Sequence, residues 1–117
     1  MSRMLLLIAG LLLGLHWYAN RGPAPGDPRI GAADSDITLL SATWCGYCDA
    51  LRRDLNQMGV SYRELDIEDG AAGEAAFDAI GARGVPVLLV GQQVIKGYDP
   101  ELARQMITAA GHSVASR

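Results

Sequence analysis

Both cysteines of this 117-residue chain, Cys45 and Cys48, lie in one Cys-x-x-Cys pair. A strand-like run over residues 37–42 precedes the pair, and a helical pattern over residues 47–58 begins within it. A thiol at the start of a helix lies beside unpaired backbone N–H groups and near the positive end of the helix dipole, which favours the thiolate. Because the thiolate is the nucleophile in disulfide exchange, we predict a redox dithiol in which Cys45 attacks and Cys48 resolves the mixed disulfide.

Two other uses of a Cys-x-x-Cys pair stay open. A structural zinc site needs four ligands, but the chain has no further cysteine, and its two histidines lie in an apolar leader (His16) and in the C-terminal tail (His112). A structural disulfide would close so small a loop that it would constrain the unfolded chain little. The placement of the pair therefore favours redox chemistry, and no metal site is predicted.

The composition of the chain limits its classes of function. The length allows one domain, and a hydrophobic content of 50% is enough for a modest core. With a formal net charge of −3, the chain has no basic field for nucleic acid, and no such partner is predicted. Two cysteines are too few for a secreted scaffold held together by disulfides, so a catalytic pair is the better use of them.

An almost unbroken apolar run occupies residues 4–15. As a helix continued to Ala19 it would span about 24 Å, less than the roughly 30 Å hydrocarbon core of a bilayer, and this length favours a cleaved signal peptide. Two features favour an anchor. Cleavage after Ala19 would put the bulky Trp17 where a small residue is required, and Trp17 and Tyr18 suit the aromatic belt of a membrane interface.

We therefore predict three segments. Residues 1–19 are a membrane anchor or signal sequence; as an anchor they would contact the membrane through residues 4–19, and a helix buried in the domain is a further alternative. Residues 20–35 contain three prolines and three glycines, which predicts a flexible linker. Residues 36–117 form the folded domain.

The arginines around the leader do not determine its orientation, because Arg3 and the terminal amine nearly balance Arg21 and Arg29. Leaders of the signal type usually direct a domain out of the cytoplasm. We therefore expect a membrane-anchored, extracytoplasmic domain, or an exported one if the leader is cleaved.

Hydrophobic periodicity in the domain predicts the order strand–helix–strand–helix–strand–strand–helix. Strands separated by helices can pair in parallel, whereas the closing hairpin must be antiparallel. The last helix is predicted to begin at Pro100 with Asp99 as its N-cap. The fold class is therefore α/β, with a mixed four-stranded sheet flanked by three helices. The strands are expected at residues 37–42, 61–67, 85–90 and 93–96, and the two other helices at residues 47–58 and 71–80.

Three segments of the domain carry a family resemblance: Trp-Cys-Gly-Tyr-Cys at 44–48, Arg-Gly-Val-Pro at 83–86, and Gly-Gln-Gln-Val-Ile-Lys-Gly-Tyr-Asp at 91–99. With these motifs, residues 36–110 resemble the glutaredoxins, which belong to the thioredoxin fold. The resemblance implies a thiol–disulfide oxidoreductase that exchanges disulfides through its Cys-Gly-Tyr-Cys dithiol.

The resemblance also implies roles for particular residues. In that family the residue matching Cys45 is the exposed nucleophile, and the one matching Cys48 resolves. The proline matching Pro86 is in the cis form, and the backbone of the residue matching Val85 pairs with the substrate peptide or glutathione. The implied substrate- or glutathione-binding set consists of Trp44, Tyr47, Arg83, Gly84, Val85, Pro86, Gly97, Tyr98 and Asp99.

The chain departs from the pattern of glutathione-using glutaredoxins in three places. Gly84 stands where Thr is usual, Lys96-Gly97 stands where Gly-Gly is usual, and residues 39–43 lack the Lys that often precedes the cysteines. Lys96 can instead supply a carboxylate contact from the opposite side.

The expected partners follow from this resemblance. No cofactor is required, and glutathione is expected as a co-substrate. Protein or low-molecular-weight disulfides are the substrates, with glutathione or an upstream dithiol reductase as the source of electrons. Two alternatives stay open: an iron–sulfur carrier that uses the first cysteine and glutathione, and a membrane-tethered binding module in which the dithiol is incidental.

Overall fold

A computed structural model of the chain describes residues 1–20 and 24–115. It has four helices and four strands, in the order predicted, and the predicted strand ends move by two residues at most. The elements are α1 (Ser2–Ala19), β1 (Ile37–Ser41), α2 (Gly46–Met58), β2 (Arg63–Asp66), α3 (Ala71–Ile80), β3 (Val87–Val90), β4 (Gln93–Lys96) and α4 (Pro100–Ala109).

The four strands form one mixed sheet in the order β2-β1-β3-β4. β1 pairs with β2 in parallel and with β3 antiparallel, and β3 and β4 form the antiparallel hairpin that was predicted. The more polar β2 lies at an edge of the sheet, and β1 is central with all of its residues buried. This arrangement confirms the predicted thioredoxin fold.

Each face of the sheet carries its own apolar core, because successive side chains of a strand point to opposite faces. Leu39 and Leu88 pack on one face with buried residues of α2 and α4. Leu40 and Leu89 pack on the other face with Ala76 of α3. α2, which carries the dithiol, is therefore fixed on the face opposite α3.

Helix ends are formed by the residues that the sequence indicated. Gly59 ends α2 with a φ of +73°, a left-handed conformation in which glycine has no steric cost. The Asp99 carboxylate accepts a hydrogen bond of 3.1 Å from the backbone N–H of Leu102 and so caps α4, as predicted.

Residues 27–36, which we call the strap, lie against the end of the sheet where β1 begins. The backbone N–H of Gly91 donates to the Asp36 carbonyl (2.8 Å), and the Gln92 side-chain amide donates to the Arg29 carbonyl (2.9 Å). The His112 ring lies 2.6 Å from the Ser35 carbonyl oxygen. These contacts hold the strap on the domain.

The strap overlaps the segment predicted as a flexible linker, residues 20–35. Its described part, residues 24–35, contains no helix or strand, in agreement with its prolines and glycines. The contacts of residues 27–35 with the domain were not expected. Residues 21–23 of this segment and residues 116–117 of the predicted domain lie outside the described residues, and the division of the chain at residue 35 stays a prediction.

α1 is an 18-residue helix none of whose residues is buried, which contradicts the alternative of a helix buried in the domain. By length and composition it can cross a membrane, and an N-terminal signal sequence would have the same properties.

Candidate functional site

The dithiol lies at the N-terminus of α2. Cys45 is the N-cap of this helix, and Cys48 lies in its first turn. The two sulfur atoms are within disulfide bonding distance, with a Cα–Cα separation of 5.2 Å. The backbone N–H of Cys48 points at Cys45 Sγ over 3.1 Å. A backbone N–H at this distance from the sulfur is the kind of group that stabilises a thiolate, and it lies where the helix start led us to expect it.

The two cysteines differ in access. Cys45 is 6% exposed, whereas Cys48 is fully buried. Cys45 is thus less open than the exposed nucleophile that the resemblance implied, because Ala42, Ile67 and Val85 pack around the pair. It is nevertheless the sulfur that an incoming thiol can reach.

The segment of residues 83–97 places Pro86 beside the dithiol. The Val85–Pro86 peptide bond is cis, as predicted, and the Val85 carbonyl oxygen lies 3.7 Å from Cys45 Sγ. The Pro86 carbonyl accepts a hydrogen bond of 2.9 Å from the backbone N–H of Gly97. The three motifs that carried the resemblance therefore meet at one place.

A groove of about 460 Å³ continues from Val85. Its lining comprises Gly81, Arg83, Gly84, Val85, Lys96 and Gly97. The side chains of Arg83 and Lys96 are exposed, and neither forms a salt bridge within the described part of the chain. This groove presents two cations and exposed backbone, a combination that binds carboxylates.

Two aromatic side chains flank Cys45, and each is 68% exposed. Trp44 donates its indole N–H to the Glu68 carboxylate. Tyr47 stacks on Tyr98, with ring centroids 5.5 Å apart and an interplanar angle of 29°. Tyr98 in turn donates its hydroxyl to the Asp54 carboxylate over 2.5 Å.

The structure thus assembles most of the predicted set around the dithiol and adds two residues. Asp99 contributes its helix cap, and no contact places it in the groove. Glu68 and Asp54 were not predicted. Asp54 lies seven residues after Tyr47, two turns along the same face of α2. This spacing is the feature of the sequence that could have pointed to Asp54. No group of three or more His, Cys, Asp or Glu residues in the described ranges is arranged to hold a metal ion.

A family model described as Glutaredoxin matches residues 37–95, half of the chain. The chain belongs to the glutaredoxin family. A curated glutaredoxin from Ricinus communis is 35% identical over 72 residues, which cover 58% of this chain and 71% of the relative. Glutaredoxin-C4, chloroplastic, from Oryza sativa subsp. japonica is 35% identical over 75 residues, or 61% of this chain and 56% of the relative.

Solved structures agree with the family. A buckwheat glutaredoxin–glutathione complex is 28% identical and superposes with a TM-score of 0.57, covering 73% of this chain and 87% of that one. The glutaredoxin-like protein NrdH-redoxin from Escherichia coli, 23% identical with a TM-score of 0.55, covers 60% of this chain and 92% of that one and shows the shared fold. As a glutaredoxin with two cysteines at disulfide distance, the protein is a thiol–disulfide oxidoreductase.

Proposed function

We propose that Cys45 is the nucleophile and Cys48 the resolving thiol of this oxidoreductase. The observation that carries the proposal is the asymmetry of the pair. Cys45 receives the backbone N–H of Cys48 and is partly accessible, whereas Cys48 is fully buried. A stabilised and reachable thiolate attacks, and a buried one can react only with a disulfide already formed at Cys45.

The cycle balances as two exchanges. The Cys45 thiolate attacks one sulfur of a substrate disulfide, the substrate S–S bond breaks, and the departing thiolate takes a proton from solvent. The Cys48 thiolate then attacks Cys45 Sγ, which releases the second substrate thiolate and leaves the Cys45–Cys48 disulfide. Two glutathione thiolates restore the dithiol: the first attacks Cys45 Sγ, and the second attacks the bound glutathione sulfur, so that glutathione disulfide leaves.

We also propose that the groove beside Val85 binds glutathione or a glutathione-like half of the substrate. Arg83 and Lys96 would pair with its carboxylates, while the Val85 backbone and the Gly97 carbonyl would bind its peptide groups. The glutathione complex of the buckwheat relative supports this choice of ligand. Proteins carrying mixed disulfides and small disulfides are the expected substrates, and an upstream dithiol reductase is the alternative electron donor.

The assignment of the two cysteines is tested by trapping. Cys48→Ser should accumulate a mixed disulfide at Cys45 with glutathione disulfide, detected by mass spectrometry, and Cys45→Ser should form none. In the reduced wild type at pH 7, Cys45 should alkylate much faster than Cys48. Equal alkylation rates, or a mixed disulfide on Cys48, would reverse the roles.

The alternative of an iron–sulfur carrier keeps one supporting observation. The residue after Cys45 is Gly46, and the space beside it is open, since an added Cβ there would meet no atom within 4 Å. Visible absorbance of protein purified without oxygen distinguishes the two functions, because a reductase is colourless. A binding module with an incidental dithiol would keep its function in Cys45→Ser.

For the location of the domain, we propose that α1 stays attached as a membrane anchor with the domain on the extracytoplasmic side. The exposed apolar surface of α1 supports an anchor or a signal sequence. In such a compartment the dithiol needs a source of electrons to act as a reductant. Protease added to sealed spheroplasts should digest the domain. Its survival would place it in the cytoplasm, and its release without detergent would show that the leader is cleaved.

A further inference from the structure

The pair formed by Tyr47 and Tyr98 connects the dithiol to the groove. Tyr47 lies between the two cysteines in sequence, and Tyr98 directly follows Gly97, which lines the groove. The two rings are stacked, so a side chain of the redox motif and one that follows the groove are in contact. On the proposed function, a ligand joined to Cys45 Sγ and lying along Val85 would pass beside this pair.

Two of the contacts that Tyr98 makes fix its position. Its ring stacks on Tyr47, and its hydroxyl donates to Asp54 Oδ2 over 2.5 Å, from a half-buried position. Since Tyr47 and Asp54 lie two turns apart on one face of α2, Tyr98 lies along this helix between them. A stacking contact alone allows a ring to slide and rotate, whereas the additional hydrogen bond, to a charged acceptor, fixes its orientation.

We propose that Asp54 is a positioning residue of the site, which through Tyr98 holds Tyr47 as a preformed wall beside the ligand path. The inference rests on the proposed function, since it assumes that substrate lies between Cys45 and the groove. Asp54 itself touches neither cysteine in the contacts described above.

The expected effect is on substrate binding. Tyr47 is 68% exposed, so without its support the side chain would sample several rotamers and would have to be ordered by each incoming ligand. Ordering it costs entropy and weakens binding, whereas a prearranged side chain does not carry this cost. The Cys45 thiolate depends on other groups, the Cys48 N–H and the surroundings of Val85, so its reactivity should not change.

The test compares variants in turnover of a glutathionylated peptide. Asp54→Leu and Tyr98→Phe each remove the hydrogen bond, and each should raise KM about threefold to tenfold while kcat and the alkylation rate of Cys45 stay unchanged. The double variant should be no worse than either single one. Asp54→Asn keeps an oxygen acceptor for the Tyr98 hydroxyl, so its KM should stay close to that of the wild type. Asp78→Asn, which removes an exposed carboxylate of α3 on the other face of the sheet, is the matched control for charge.

Unchanged KM values in Asp54→Leu and Tyr98→Phe would overturn the inference. An equal rise in KM in Asp54→Asn and Asp54→Leu, with no rise in Tyr98→Phe, would also overturn it. The charge of Asp54 would then matter, and not its hydrogen bond to Tyr98. A second readout is independent of turnover: ring-current shifts of the Tyr47 proton resonances should move towards free-chain values in Asp54→Leu and Tyr98→Phe. If the wild type fails to turn over any disulfide, the proposed function is wrong, and the Tyr47 resonances alone decide the positioning role of Asp54.

Discussion

Arg83 and Lys96 make the groove positively charged. Neither forms a salt bridge with a carboxylate in the described part of the chain. Ion pairs with a bound carboxylate would form near the surface, where each contributes modestly and is weakened by salt. The contacts proposed for the backbones of Val85 and Gly97 do not depend on side-chain charge. The two kinds of contact can therefore be separated by experiment.

Arg83→Gln and Lys96→Gln should each raise KM for a glutathionylated peptide about twofold to fivefold at low salt, because a carboxylate loses its partner. The difference from wild type should shrink as salt is added. Arg63→Gln removes an exposed cation from the start of β2, at the end of the sheet away from the dithiol, and serves as the control. If Arg63→Gln raised KM as much as the groove variants do, the effect would come from the net charge of the protein and not from binding in the groove.

Asp27 is the buried charge of the strap. Its side chain is 1% exposed and accepts 2.6 Å and 3.0 Å hydrogen bonds from the Arg29 guanidinium and a 2.9 Å bond from the Arg29 backbone N–H. The hydrogen bonds from the Arg29 side chain hold the pKa of Asp27 below its ordinary value, against the opposing effect of burial. The ionised carboxylate therefore stabilises the folded state.

The sign of the pH dependence follows from that lowered pKa. The stabilisation by Asp27 is complete above the pKa of the unfolded chain, about 4, and is lost as pH falls through the lower pKa of the folded state. Asp27→Asn should cost about 1–2 kcal/mol at pH 7, measured by urea unfolding. Its difference from wild type should narrow as pH falls below about 4. A difference that stays constant down to pH 2 would contradict the assignment.

α3 and the end of β2 pack so closely that a side chain at Gly73 would not fit between them. A Cβ added at Gly73 would lie 1.9 Å from the carbonyl oxygen of Asp66, a backbone atom. This approach sets the path of the β2–α3 connection, where Ile67 packs on the dithiol and Glu68 binds Trp44. α3 thus supports the site from the opposite face of the sheet.

Gly73→Ala should therefore destabilise the protein by about 3 kcal/mol, since α3 must move away from Asp66. Gly84→Ala is the control for stability, because an added Cβ there meets nothing within 4 Å. Thermal unfolding followed by circular dichroism measures both. An unchanged midpoint in Gly73→Ala would show that the contact is not as close as described.

The contacts of the strap extend the folded unit of the chain beyond the predicted domain. The hydrogen bonds from Gly91 and Gln92 reach Asp36 and Arg29, in the strap. Removal of residues 1–26 leaves these bonds in place, whereas removal of residues 1–36 takes away both acceptors.

The chain from residue 27 should unfold near the midpoint of the full domain. The chain from residue 37 should lose at least about 4–8 °C, the shift that corresponds to 1 kcal/mol for a domain of this size. Equal midpoints for the two truncated chains would contradict a stabilising strap.

The sequence predicted the elements of the fold well and their tertiary connections less well, for a physical reason. Periodicity and caps are local properties, so α2, the hairpin and the Asp99 cap could be located from neighbouring residues alone. The motif at Cys45 and the one at Pro86 could be joined only through the family resemblance. Bonds such as those of Tyr98 with Asp54 and of Gln92 with Arg29 join residues 44 and 63 positions apart, and no local pattern encodes such a distance.

The contacts of the strap with the domain were not expected, for a related reason. Its prolines and glycines disfavour helix and strand, which was correct, but a segment without regular structure can still pack on a domain. Single residues hold it in place. Asp27 is buried within the strap, and Gly91, in the turn between β3 and β4, has a φ of +59° and approaches the Asp34 backbone so closely that no side chain would fit. Composition averages over such residues and therefore predicts freedom of movement where there is attachment.

Attachment of the strap shortens the tether of the domain. With α1 in a membrane, as proposed, residues 20–26 are the part of the chain that remains to separate α1 from the strap. Fully extended, these seven residues reach about 23 Å, compared with about 53 Å for residues 20–35. A shorter tether confines the domain to a thinner layer above the bilayer and so raises its local concentration towards disulfides carried in the same membrane. Dissolved disulfides gain nothing from this confinement, so the tether favours membrane-bound substrates over free ones.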